Sequence, residues 1–147
     1  MDRILVAVDG SEAALKAVGF AAKLAADTKA ELAILTVLDE VYVADRALRE
    51  FAHSEHLATT WGDLSEARAT EILIAAHQRA ASHGDPRVRT ERRTGNPVEE
   101  IVRFAKDSKS ELIVVGHVGR SRVAGVLLGS VVFKLLGLAP CPLTVVR

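Results

Sequence analysis

The 147-residue sequence predicts a single α/β domain spanning residues 1–147, built on one doubly wound, five-stranded parallel sheet of order 3-2-1-4-5 with helices on both faces. Three observations lead there. Four short runs are rich in Val, Ile and Leu, and three of them lack the clean polar alternation of a strand with one wet face, as expected when both faces are covered. Helix-periodic segments with capping residues fall between these runs. The length suits one hydrophobic core.

The elements follow in order. Ile4–Val8 reads as the first strand. Ser11 then precedes a stripe of Leu15, Val18, Ala22 and Ala25, with Glu12 in the first turn, which predicts a capped amphipathic helix. Leu32–Val37 is the second strand. Asp63 and Glu66 have capping-box spacing ahead of Ala69, Ile72, Leu73, Ala76 and Ala80, and Gly84 and Pro86 end that helix. Arg87–Thr94 is a weaker strand, polar enough to belong at a sheet edge. Asn96 and Glu99 bracket Pro97, a favoured first helical residue, ahead of the apolar face of Val98, Ile101 and Ala105. Leu112–Val115 and Leu143–Val146 are the last strands, separated by a helix from Ser130 to about Leu138 that stops at Ala139-Pro140-Cys141-Pro142. The long connection Asp39–Gly62 holds Tyr42, His53, His56 and Trp61, and Asp45–Phe51 within it has helical character. Insertions of this kind are commonly lids, partner surfaces or loops without fixed structure.

Composition narrows the function. Lys plus Arg and Asp plus Glu number 19 each, so no global field points to nucleic acid or an anionic membrane. The lone Cys141 excludes an internal disulfide framework and a Cys-rich zinc site. No apolar run is long enough for a membrane span, and Ile4–Val8 is too short for a signal-peptide core. A soluble cytoplasmic protein without nucleic-acid or membrane partners is the expectation.

The chemistry is expected where strand order reverses, beyond the C-terminal strand ends. Asp9-Gly10 follows the first strand, Val37-Leu38-Asp39 ends the second, and Gly116-His117-Val118-Gly119 follows the fourth. Nine residues after Gly119 comes Gly129-Ser130, opening the last helix. Glycines let a backbone approach a ligand closely, and a helix N-terminus offers unpaired N–H groups and a positive dipole end. Together they make an anion site, most often for phosphate. From Leu112 onward there is no Asp or Glu, whereas Arg120, Arg122, Lys134 and Arg147 are present. The G-x-x-x-x-G-K-[ST] phosphate loop is missing, as is G-x-G-x-x-G after the first strand. Asp9 has only Glu12 near it, too few acids for a metal-dependent phosphoacceptor.

The stretches Val6-Ala7-Val8-Asp9-Gly10-Ser11, Gly95-Asn96-Pro97-Val98-Glu99-Glu100-Ile101 and Gly116-x2-Gly119-x9-Gly129-Ser130 resemble the universal stress protein family, as does the ending Ala139–Val146. The resemblance covers essentially the whole chain. Its G-x2-G-x9-G-[ST] element marks the nucleotide-binding branch, and all four fixed positions are present. The resemblance implies ATP as ligand, with Mg2+ or Mn2+. It places Asp9 by the ribose or a phosphate-bound metal, and Val37 with its backbone at the adenine edge. Gly116, Gly119, Gly129, Ser130 and Val131 would line the phosphates. Ala7, Val115, His117 and Arg120 complete the implied nucleotide-binding set. Between the first two glycines the family usually carries a small hydroxyl residue and then a basic one; His117 and Val118 stand there instead.

Other features have plainer readings. His53 and His56 share a helical spacing without a third metal ligand in view, Tyr42 and Trp61 suit packing under the long connection, and Cys141 suits a small buried position. Arg87, Arg89, Arg92 and Arg93 make a basic strand, but Glu91 interrupts it and no aromatics interleave, which favours a solvated edge. No residue stands out as a general base or as part of a nucleophile-activating pair, so a nucleotide-dependent regulatory or stress-response module is the leading expectation. A slow metal-dependent ATP hydrolase or phosphotransferase using Asp9 and Ser130 is one alternative, and a ligand-free dimeric interaction protein is another. The uncharged strand Leu143–Val146, at an open sheet edge, predicts a homodimer.

Overall fold

The computed structural model describes residues 1–39, 61–84, 87–120 and 127–147, with side chains from residue 65 onward in the second stretch. The helical segment expected at Asp45–Phe51 lies outside the described residues, with Tyr42, His53, His56, Pro86, Arg122 and the side chains of Trp61 and Asp63. The elements run β1 (Arg3–Val8), α1 (Glu12–Thr28), β2 (Glu31–Leu38), α2 (Trp61–Ala81), β3 (Arg87–Thr94), α3 (Pro97–Asp107), β4 (Leu112–Gly116), α4 (Ser130–Leu138) and β5 (Leu143–Val146). The sheet order is β3-β2-β1-β4-β5 with every pairing parallel, as the sequence predicts.

Side chains leave a strand on alternate faces, so each central strand feeds two cores. Ile4, Val6 and Val8 of β1 join Leu32 and Ile34 of β2 and Leu112 and Val114 of β4 beneath α1 and α2. Leu5, Leu35, Ile113 and Val115 face the other way, beneath α3 and α4. Two-sided burial explains why these runs are continuous rather than alternating. β3 is the polar exception and occupies one edge, with β5 at the other.

Caps set most helix ends. The Ser11 hydroxyl accepts the Ala14 N–H at 3.1 Å, and the Asn96 side-chain Oδ1 accepts those of Val98 and Glu99 at 3.0 and 3.2 Å. One end departs from the sequence reading, and another carries no mark in it. α2 begins at Trp61, so Asp63 lies within the helix and not at its cap. Among its described side chains, from residue 65 onward, the first buried one is Ala69, and residues 65–68 ahead of it carry no apolar periodicity. α1 ends at Lys29, whose φ of 59° is left-handed although the residue is not glycine, and whose N–H bonds the carbonyls of Ala25 and Ala26.

Candidate functional site

Strand order reverses between β1 and β4, whose last paired residues are Ala7 and Val115. Asp9 and Gly116 therefore leave the sheet side by side at its C-terminal end. One carboxylate oxygen of Asp9 accepts the Ser11 N–H at 2.9 Å, and the other accepts the Arg120 N–H at 3.0 Å. Asp9 thus clips the glycine loop to the end of β1. A methyl group on Gly119 would stand 2.9 Å from that second oxygen, so the residue is bare because the carboxylate is there.

Gly116 is bare for another reason. A Cβ there would meet the Ala13 carbonyl carbon at 2.6 Å and the Ala14 nitrogen at 2.8 Å. The first turn of α1 rests on the last residue of β4, and this close approach holds the helix against the loop. Gly129 differs again. Among the described residues the atoms nearest a Cβ at this position are loop backbone, first Gly119 N at 3.4 Å, and its φ of −68° suits any residue. Among the described residues nothing requires glycine at 129.

Gly129 caps α4 without any side-chain hydrogen bond, in contrast to Ser11 and Asn96 on α1 and α3. Its own N–H donates to the His117 carbonyl at 2.8 Å, which folds the loop back over the start of α4. Ser130 is exposed at the first helical position. The result is a helix N-terminus whose own N-cap residue brings no side-chain acceptor, set beside a glycine loop. Among the described residues from Leu112 onward, Arg120, Lys134 and Arg147 are the charged side chains and none is acidic.

The remaining sequence-predicted residues converge by packing. Ala7, Val37, Val115 and Val131 all belong to the apolar cluster on the α3 and α4 face. Val37 lies at the exit of β2, in register with Arg93 of β3. His117 is tied to β5, its N–H donating to the Val146 carbonyl at 2.8 Å. A contributor the sequence reading missed is Thr36, whose buried hydroxyl donates to the Val8 carbonyl at 2.9 Å and locks β2 to β1 just below the site. A threonine within an apolar run carries no mark of that role.

Other candidates resolve as structure. Arg87 donates to the Lys29 carbonyl, Arg89 pairs with Glu31, Arg92 with Glu66, and Arg93 with Glu100 and Asp107. Three of its four arginines are thereby paired with carboxylates, and Arg87 is held by a backbone carbonyl. Burial pushes the Cys141 thiol up, which keeps it protonated and a poor nucleophile. A cavity of about 190 Å³ opens between α1 and α2, lined by Val8, Gly10, Ala14 and Ile72 with Arg68 and Glu71. It is smaller than the roughly 300–1,000 Å³ of ordinary ligand pockets, and the glycine loop does not line it. Among the described residues no His, Cys, Asp or Glu cluster is arranged to hold a metal ion by itself, and no helix is long and apolar enough to cross a membrane.

Comparison with known proteins agrees with this architecture. Residues 1–147 match the universal stress protein family. The chain is 35% identical to the universal stress protein YxiE of Bacillus subtilis (strain 168), over 99% of both chains. Among solved structures it is similar to the universal stress protein UspA from Lactobacillus plantarum, with a TM-score of 0.79, 29% identity, and 99% and 97% of the two chains covered. A universal stress protein in complex with cAMP aligns with a TM-score of 0.73 and 29% identity, over 99% of this chain and 96% of that one. The chain belongs to the universal stress protein family.

Proposed function

We propose that this protein binds ATP at the loop 116–120 and the start of α4, and acts in the cytoplasm as a homodimeric regulatory or stress-response module governed by its nucleotide state. The α4 N-terminus, given no side-chain acceptor by its N-cap and packed against a loop of bare backbone, carries the reading. Gly129 lends it particular weight. Among the described residues nothing requires it to be bare, so the absence of a side chain is accounted for by a ligand that must reach the backbone. The similar protein solved with cAMP supports an adenine nucleotide as the ligand class.

Residue roles follow from position. The N–H groups of Ser130 and Val131, with those of Val118 and Gly119 between the loop positions already bonded to Val146 and Asp9, would hold the phosphates, and Gly116 and Gly119 would keep the loop close. The Val37 backbone would meet the base, and Ala7 and Val115 would form the floor. Asp9 would contribute through a phosphate-bound Mg2+ or Mn2+ or through the ribose, while it orients Arg120. Magnesium typically binds through one or two carboxylates plus substrate phosphates, and a lone Asp9 is compatible with that arrangement. No general base is placed against the loop by the described hydrogen bonds, which favours binding over turnover.

Two measurements test this. Mass spectrometry of small molecules released from denatured protein should detect an adenine nucleotide. Mg-ATP should raise the melting temperature, since a ligand bound only to the folded state stabilises it by mass action, by about 2.7 kcal/mol at a hundredfold excess over Kd. Gly129→Val should fold and lose that shift. Wild-type ATP affinity in the folded variant would remove the phosphates from this loop.

A further inference from the structure

Glu100 of α3 is a buried acid held by arginines: its Oε1 accepts from Arg103 at 2.6 Å and its Oε2 from Arg93 at 3.4 Å. Its stem lies against Gly95, where a Cβ would stand 3.3 Å from Glu100 Cγ. Gly95 has a φ of 141°, which residues with a side chain rarely adopt, so the turn from β3 into α3 is fitted to the glutamate. The Gly95 N–H in turn donates to the carbonyl of Leu38, the last residue of β2, at 2.9 Å. We infer that Glu100 is a positioning residue for the nucleotide base, fixing through Gly95 and Arg93 the exit of β2 that presents the Val37 backbone. This rests on the reading of that exit as the base site.

Strand geometry carries the link. The β1 ladder ends at the pair of Val8 with Thr36, whereas the β3 ladder continues through Val37 with Arg93 and Leu38 with Thr94. The last two residues of β2 are thus held by β3. Backbone groups of successive strand residues turn toward opposite neighbours. The Glu31 N–H donates to Asp2 on the β1 side and the Leu38 carbonyl accepts Gly95 on the β3 side, so Val37, like Glu31, turns its polar groups toward β1. Holding Leu38 from behind therefore sets the direction in which Val37 faces. Arg93, level with Val37, is itself fixed by Glu100, by Asp107 at 3.6 Å and by the Phe104 ring, whose centroid lies 5.0 Å from the guanidinium carbon.

A buried ion pair is weak evidence of stabilisation, because desolvating two charges offsets much of their attraction; fixing one arrangement is its better attested use. Here the arrangement belongs to β2, β3 and α3, whereas the phosphates are assigned to the loop after β4 and the start of α4. A disturbance at Glu100 therefore reaches the base and spares the phosphates. One net hydrogen bond to the base corresponds to about three- to tenfold in affinity.

The test compares Mg-ATP with Mg-CTP, which carries the same phosphates on a different base, by calorimetry on the wild type and Glu100→Ala. The wild type should prefer ATP, and the variant should lose about three- to tenfold of that preference through ATP while its CTP affinity holds. In the ligand-free variant the Gly95 amide should exchange with solvent faster than in the wild type. Glu100→Gln keeps the length and one acceptor oxygen, and it should shift the same ratio in the same direction should Glu100→Ala fail to fold. An unchanged ratio in a folded variant, or equal losses for both nucleotides, overturns the inference and leaves the phosphate site standing. A wild type that binds ATP and CTP equally does the same. Failure of the wild type to bind either nucleotide overturns both.

Discussion

At the residue scale, the three loop glycines are bare for three different reasons, and substitution separates them. Gly116→Ala would drive a methyl carbon to 2.6 Å from the backbone of α1, where no flexible side chain can yield. Overpacking of this kind costs about 1–3 kcal/mol, and a rigid backbone neighbour puts this case toward the upper end. Urea denaturation should show that loss with nucleotide absent. Asp9→Ala strands two backbone N–H groups that its carboxylate accepts, so it should also destabilise the apo protein, by about 1–3 kcal/mol, less to the extent that water replaces the carboxylate. An Asp9→Ala variant as stable as wild type without ligand would leave the carboxylate a purely ligand-facing group. The glycine spacing was legible in the sequence, as was the strand end that carries it. The division of labour was not, because it depends on the distance between β4 and the first turn of α1. Nor did the sequence mark Thr36 as a strand lock or Asp9 as a clip across 111 positions, since both partners are backbone groups that any residue would supply.

Between residues and fold lie the element ends, where local chemistry either marks a boundary or leaves it silent. Ser11 and Asn96 announce α1 and α3 because their side chains must cap whatever helix follows them. α4 was legible to its last residue, since Gly129 and Pro140 leave few alternatives. The start of α2 was not, because Asp63 and Glu66 have the spacing of a cap yet lie inside a helix that begins at Trp61. The end of α1 was silent too. Its closing residue, Lys29, adopts a left-handed conformation that its sequence gives no reason to expect, and the Lys29 carbonyl is then held by Arg87. That conformation costs a non-glycine residue about 1 kcal/mol, so Lys29→Gly should stabilise the protein by about 0.5–1 kcal/mol. A higher urea midpoint with unchanged slope would confirm it, and a loss of stability would show that the Lys29 side chain contributes more than its backbone strain costs.

For the molecule as a whole, the two sheet edges are unequal. β3 carries Arg87, Arg89, Glu91, Arg92 and Arg93, charges that discourage pairing with another strand. β5, with Leu143, Thr144, Val145 and Val146, has none and is half-buried throughout. α4 adjoins it in sequence and leaves Phe133, Leu136 and Leu138 more than half exposed. A two-fold dimer in which β5 pairs antiparallel with its copy would satisfy the edge with one self-complementary patch. The ladder itself says which residue to change. Ile113 N–H bonds the Pro142 carbonyl and His117 N–H bonds that of Val146, so the even-numbered backbone groups of β5 turn toward β4. Leu143 and Val145 alternate with them and turn their N–H groups outward. Val145→Pro therefore removes an outward donor, spares the bonds to β4, and is a substitution that edge strands accept. Two-fold symmetry doubles the loss, and at about 1 kcal/mol for each bond the dimer should weaken by roughly thirtyfold. Sedimentation should show a wild-type dimer at micromolar concentration and a folded monomeric variant. A monomeric wild type would rule out this assembly, and a variant that stays dimeric would move the interface away from β5.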